Sequence, residues 1–138
     1  MTNAETGAVC SLPIVCEIEF YCRPGDYHLR LFCNAAGEGG VRLDYNQKTR
    51  NIVIDRSGMQ VRFNEEQGES RTRNLNNGLT HLRIFIDRSS IEIFVNDGDA
   101  VFTSRIFPKG DETHFQVTGD TFLRMWTLKP AIRDDFVI

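Results

Sequence analysis

Apolar residues in this chain recur at every second position in short runs. Turn-forming residues separate the runs at intervals of roughly 8 to 12 residues, the pattern of an all-β sandwich or barrel. Helical periodicity is almost absent. Ile14, Cys16, Ile18 and Phe20 alternate with Val15, Glu17, Glu19 and Tyr21, which predicts a strand over 14–21. Pro24-Gly25-Asp26 predicts a turn, because Pro fixes φ and Gly accepts positive φ. A strand over 27–34 then sets Leu29 and Leu31 on one face and Arg30 and Phe32 on the other. Beyond the loop Gly37-Glu38-Gly39-Gly40, strands over 41–45 and 52–55 form a hairpin around 46–51.

The stretch 56–77 is polar and weakly patterned, with Met59, Val61 and Phe63 its one alternating apolar set. It reads as a surface loop with one short strand, either a partner-contacting segment or a solvated crossover. The most regular part is a meander of strands over 82–87, 91–96 and 100–107, joined by Arg88-Ser89 and Asp97-Gly98. Asp97-Gly98 is the two-residue signal for a type I′ turn. It pairs Asn96 with Asp99, Phe94 with Val101 and Ile93 with Phe102. Arg88-Ser89 as the other loop pairs Ile86 with Ile91, Ile84 with Ile93 and Leu82 with Val95. Both hairpins put Leu82, Ile84, Ile86, Ile91, Ile93, Val95 and Phe102 on one face, and that agreement sets the register and places the core there.

The opposite face of the meander carries Arg83, Phe85, Glu92, Phe94, Val101 and Thr103, which is aromatic for a solvated surface. Cross-strand packing under Arg and Glu stems and a docking surface for another domain or a second copy are both open. Strands over 113–118 and 122–128 complete nine or ten, and Pro130 ends the pairing. The expectation is one domain over 1–138, an antiparallel two-sheet β-sandwich of the concanavalin or jelly-roll type. Residues 1–12 read as a linker or loose segment, and 131–138 as a tail.

Composition changes this picture little. With 138 residues, 41% apolar and 25% charged, the chain can support one core without disulfides or metals. A net charge of −3 creates no field for phosphate backbones, so neither nucleic acid nor a membrane surface is an expected partner. The opening residues show neither a basic nor an apolar signal region, and the chain reads as cytoplasmic. Cys10, Cys16, Cys22 and Cys33 form no C-x-x-C pair and read as reduced, mostly buried thiols.

The run Leu82-Arg83-Ile84-Phe85-Ile86-Asp87-Arg88-Ser89-Ser90-Ile91-Glu92-Ile93-Phe94-Val95-Asn96-Asp97-Gly98, continuing through Thr103-Ser104-Arg105-Ile106-Phe107-Pro108, closely resembles the C-terminal domain of glycoside hydrolase family 32. That family holds invertases, levanases and bacterial sucrose-6-phosphate hydrolases. The resemblance covers about a quarter of the chain strongly. Its motif positions are Asp87, Ser89, Ser90, Asn96, Asp97 and Gly98. It implies a two-domain enzyme in which a five-bladed catalytic propeller is followed by a β-sandwich packed against it, and only the second part matches here. The family's W-x-N-D-P-N-G, R-D-P and E-C motifs have no counterpart: Asn96-Asp97-Gly98 lacks the following Pro-Asn, Arg133-Asp134 is followed by Asp135, and Cys16-Glu17 runs in reverse order. The expectation is a non-catalytic piece of a hydrolase, with no cofactor.

Other chemistry is thin. A retaining glycosidase needs two carboxyl groups roughly 5 to 5.5 Å apart, one held protonated. Glu17 and Glu19 share a strand face, and Glu65-Glu66 and Asp134-Asp135 are adjacent, but all lie in stretches that read as exposed. His28, His81 and His114 have no Ser or Cys motif beside them and read as ordinary hydrogen-bonding residues. Asp87, Ser89 and Ser90 suit turn chemistry. Asp97, Asp99 and Asp111 complete no calcium loop, so no metal is assigned. Besides the structural module, two readings stay open. One is an autonomous carbohydrate-binding module using Tyr21, Tyr27, Tyr45, Phe85, Phe94 or Trp126, with Trp126 expected in the core. The other is a homo-oligomerisation domain.

Overall fold

In a computed structural model, residues 8–59, 70–96, 98–106 and 108–127 are described. They form eleven strands: β1 (Val9–Ser11), β2 (Val15–Cys22), β3 (Tyr27–Cys33), β4 (Gly40–Asn46), β5 (Asn51–Gly58), β6 (Ser70–Asn74), β7 (His81–Asp87), β8 (Ser90–Val95), β9 (Ala100–Arg105), β10 (His114–Thr118) and β11 (Thr121–Thr127). Two antiparallel sheets result, one in the order β1-β10-β3-β4-β5-β6 and the other β11-β2-β7-β8-β9. Among the described residues no helix is long and apolar enough to cross a membrane.

The meander has the expected register. Leu82 lies opposite Val95, Ile84 opposite Ile93 and Ile86 opposite Ile91, and Ile93 opposite Phe102. All seven of its apolar inward positions are buried. They join Cys16, Ile18 and Phe20 of β2 and the inward residues Leu29, Leu31, Leu43, Tyr45, Ile52, Phe115 and Val117 of the other sheet in one cluster. Alternation explains this directly, since successive side chains on a strand point to opposite faces.

Several expectations need correction. Val9–Ser11, within the segment read as a linker, is a strand that pairs with β10. Within 56–77 the described residues include one strand beyond the end of β5, at Ser70–Asn74; its five side chains are all exposed, so it has no apolar alternation to read. Pairing with β5 defines it; among the described residues it is the edge of its sheet, where two arginines discourage pairing with further chains. Met59 is buried just after β5, while Val61, Phe63, Phe107, Leu128, Pro130 and the tail lie outside the described residues. Ile14 is 57% exposed because β2 begins one residue later.

The second turn of the meander also differs. Val95 pairs with Ala100, and the Gly98 amide donates to the Val95 carbonyl, so the tight turn sits one residue earlier than expected. Asn96 then takes a φ of +50° and leaves the β8–β9 ladder. Asp97 lies outside the described residues. The first turn is as expected, with Asp87 opposite Ser90 and Arg88 at φ +53°.

Phe32 was expected on the face of Arg30, yet it is only 2% exposed and belongs to the core. The register between β3 and β10 shifts between His114 and Phe115, so Phe32 is the extra residue of a β-bulge, with φ +62°. β4 rises alongside this bulge at Gly40, whose φ is +82° and where a Cβ would stand 2.3 Å from the Leu31 carbonyl oxygen. No side chain fits there without moving β3. Gly40→Ala is expected to cost about 2–4 kcal/mol in urea unfolding, from positive φ and overpacking together. Gly98→Ala, with open space around the Cβ position, tests the φ contribution alone and is expected to cost less.

Candidate functional site

The meander's outward residues form part of a larger surface. β2 pairs with both β7 and β11, and beyond a first row of Val15, Asp87, Ser90 and Arg105 three cross-strand rows carry the aromatic part of the outer face of the five-stranded sheet. One row runs Trp126, Glu17, Phe85, Glu92 and Thr103. The next runs Arg124, Glu19, Arg83, Phe94 and Val101. A shorter third holds Phe122, Tyr21 and His81.

Apolar groups on this face are exposed. Tyr21, Phe122 and Trp126 are 37–39% exposed and Val101 45%. Phe85 and Phe94 are half-buried and meet edge to face with ring centroids 5.7 Å apart, a favourable aromatic geometry. The Arg124 guanidinium lies 4.9 Å above the Trp126 ring, a cation–π contact. Of the residues expected to make a docking face, Arg83, Phe85, Glu92, Phe94 and Val101 are all found there. Tyr21, Phe122, Arg124 and Trp126 extend it. Trp126, expected in the core, is on the surface, while Tyr27 and Tyr45 are buried and offer no platform to a sugar.

At the centre of this face stands Glu19, only 4% exposed. Its stretch was expected to be solvated, and the correction has a clear cause: Tyr21, His81 and Arg83 close over it. Oε2 accepts from Tyr21 Oη at 3.1 Å and Arg83 Nη2 at 2.9 Å, and lies 2.8 Å from His81 Nε2. Arg83 also reaches Glu17 at 3.5 Å, and the His81 ring tilts against Tyr21. Burial by itself raises the Glu19 pKa, but the hydrogen bonds from Arg83, His81 and Tyr21 and the Arg83 charge outweigh it and hold the carboxyl down at about 2. Such a group is the opposite of a general acid, which must keep its proton near neutrality. Glu17 and Glu19 share a face as expected, but Arg83 bridges them.

The family-motif residues hold turns together. Asn96 accepts through Oδ1 from the Thr80 and His81 amides at 2.8 and 3.1 Å and from Thr80 Oγ1 at 3.0 Å. Its Nδ2 donates to the Gly78 carbonyl at 2.6 Å and to Asp99 at 3.3 Å. One side chain thus fixes the loop before β7 to the end of β8. The Asp87 carbonyl accepts from the Ser89 amide and, at 3.4 Å, from Ser90 Oγ, as turn chemistry predicts. His28 and His114 are hydrogen-bonded to Asp44 and Thr113. Cys16 and Cys33 are buried and Cys10 and Cys22 half-buried, all free thiols. Burial raises the Cys16 thiol to about 11 and Cys22 to about 12, which makes them poor nucleophiles at neutral pH. Among the described residues, no group of three or more His, Cys, Asp and Glu is placed to hold a metal ion. Glu65, Glu66, Asp134 and Asp135 lie outside them.

Fold and surface together define a β-sandwich module with an aromatic, ion-paired outer sheet. The chain belongs to the family described as glycosyl hydrolases family 32 C terminal, whose model matches residues 5–126. It is 36% identical over 110 residues to a probable sucrose-6-phosphate hydrolase of Vibrio cholerae, covering 78% of this chain and 19% of that protein. To the sucrose-6-phosphate hydrolase of Staphylococcus xylosus it is 34% identical over 85 residues, 59% of this chain and 17% of that one. The solved structure of sucrose-6-phosphate hydrolase from Lactobacillus gasseri superposes with a TM-score of 0.79 at 29% identity, over 93% of this chain and 27% of that chain. The chain spans about a fifth of the length of the curated relatives it matches.

Two changes test the network and the turn. Folding stability contributed by Glu19 is fully present above its ordinary pKa of 4.5 and lost as pH falls through about 2, because the folded value is depressed. Glu19→Gln is expected to cost about 2–3 kcal/mol at neutral pH and to flatten the acid limb of a stability-against-pH curve. Asn96→Ala removes five hydrogen bonds at a positive-φ position and is expected to cost about 2–3 kcal/mol in the same measurement.

Proposed function

We propose that this chain is the non-catalytic module of a sucrose 6-phosphate or sucrose hydrolase. It packs the outer face of its five-stranded sheet against the five-bladed catalytic propeller that the family implies, and stabilises it. One observation carries the choice of face. Of the six large apolar side chains exposed among the described residues, Tyr21, Val101, Phe122 and Trp126 all stand on this one, and none stands on the outer face of the six-stranded sheet. Clustered exposed aromatics mark a surface that another body covers.

The Glu19 network suits that role. Glu17, Glu19 and Arg83 are already paired with one another before a partner arrives, so covering the network leaves none of these three charges stranded. Trp126 with Arg124 and Phe122 supplies the kind of anchor that dominates interfaces, and Glu17 and Glu92 supply a polar surround. Substrate recognition and bond cleavage belong to the propeller, in keeping with the missing catalytic motifs and a Glu19 that cannot serve as the acid.

The isolated chain is expected to release no fructose from sucrose or sucrose 6-phosphate, and turnover at an enzyme-like rate would sink the reading. Added in excess to a catalytic-domain-only form of the Lactobacillus gasseri enzyme, it is expected to raise that domain's thermal midpoint. A Phe122→Ser/Trp126→Ser variant should lose most of the effect, while Asp44→Asn on the opposite sheet should keep it. No shift with either chain, or equal shifts from both variants, would place the contact elsewhere.

A further inference from the structure

We propose that the outer face of the six-stranded sheet carries a separate binding site for one ring of a small neutral saccharide, centred on Asp44. This face lies on the opposite side of the sandwich from the docking surface, so either proposal can fail without the other. Six side chains from three neighbouring strands line a depression of about 190 Å³: His28 and Arg30 of β3, Arg42 and Asp44 of β4, and Gln116 and Thr118 of β10. They stand in two rows of cross-strand neighbours, Thr118–His28–Asp44 and Gln116–Arg30–Arg42. Strands lie roughly 4.8 Å apart, a spacing comparable with the spread of hydroxyl groups across a sugar ring.

The side chains are held in place before any ligand arrives. Asp44 Oδ1 lies 2.7 Å from His28 Nδ1, and Oδ2 lies 2.6 Å from Arg42 Nε. Arg42 reaches on to Asp55 at 3.4 Å, and Arg30 donates to the Gly39 carbonyl at 3.3 Å. The rim next to Gly39 is itself fixed, because Asn34 Oδ1 accepts from the amides of Ala36 and Glu38 at 2.9 and 3.0 Å. Gly37 leaves room for the Gln116 amide, whose Oε1 would stand 3.0 Å from a Cβ placed there.

Charge and size select the ligand class. Arg30 and Arg42 are balanced by Asp44 and Asp55, so an anion entering the depression gains little from the arginines and meets the Asp44 carboxylate. A carboxylate has about four acceptor positions, and His28 and Arg42 occupy two of them. One ring hydroxyl can donate to Asp44 while another accepts from a guanidinium. Donors and acceptors spread over neighbouring strands in this way match hydroxyls distributed around one sugar ring. The volume is below the roughly 300–1,000 Å³ of drug-sized pockets, which fits a single ring better than a chain. No aromatic side chain lines the site, so affinity on the order of millimolar is expected.

The test is a two-dimensional ¹⁵N–¹H NMR titration of the 138-residue chain with fructose, glucose and sucrose to about 100 mM, and with inorganic phosphate in parallel. At least one sugar is expected to give saturable shifts at amides of β3, β4 and β10, and phosphate to give weaker ones there. Asp44→Asn should weaken sugar binding roughly tenfold or more while the rest of its spectrum stays native. His28→Ala, at an exposed position, provides the same comparison if Asp44→Asn disturbs the fold. Four results overturn the proposal: no saturable shift with any sugar, shifts confined to the Phe122 and Trp126 face, phosphate binding more tightly than every sugar at this site, or native-like affinity in a folded Asp44 or His28 variant.

Discussion

The core side and the outer face of the five-stranded sheet both depend on side-chain parity in β2 and β7, its central pair. Cys16 lies opposite Ile86, Ile18 opposite Ile84 and Phe20 opposite Leu82, all buried between the sheets. Each fully buried aliphatic or aromatic side chain contributes roughly 1.5–3 kcal/mol, so a one-residue slip of either strand would expose several such groups at once. The same parity sends Glu17, Glu19, Tyr21, Arg83 and Phe85 outward. A core that tolerates only one register therefore assembles the outer surface as well, and the Glu19 network rests on it.

The two outer faces answer to different physics. On the five-stranded sheet a carboxylate is buried by its own neighbours, with Arg83, His81 and Tyr21 taking the place of water. Exposed rings surround it. On the six-stranded sheet the corresponding positions hold Arg42, ion-paired with Asp44 and Asp55, and Arg30, which donates to the Gly39 carbonyl, on a face partly open to solvent. Desolvation favours the first for a broad, dry contact, whereas a wet face with paired donors and acceptors suits a small hydroxylated ligand. A sandwich has two such exteriors, and its shared core lets each be specialised without disturbing the other.

Much of the fold was legible because its strongest signals are local. Two short loops join β7, β8 and β9, and turn chemistry there agrees with apolar alternation, so the register follows from neighbouring residues. Where alternation was silent or misleading, a physical reason can be named. β6 has no apolar residue to reveal it, and the bulge at Phe32 turns a side chain inward against its parity. Asn96 was expected to pair within the hairpin, yet it uses a left-handed conformation to bind the loop before β7.

By itself the sequence determined the class of fold, the meander and its core face, the family, and the lack of that family's catalytic motifs. These rest on contacts between residues close along the chain or on motifs read directly. Only the tertiary structure decided that Trp126 is exposed, that Glu19 is buried, and that His28, Arg42 and Gln116 meet around one depression. Such outcomes depend on which distant strands become neighbours: β11 joins β2 across about a hundred residues, and β10 joins β3 across about eighty. Alternation tells which side chains share a face of one strand. Sheet order tells which strands share that face, and it emerges from the packing of the whole core.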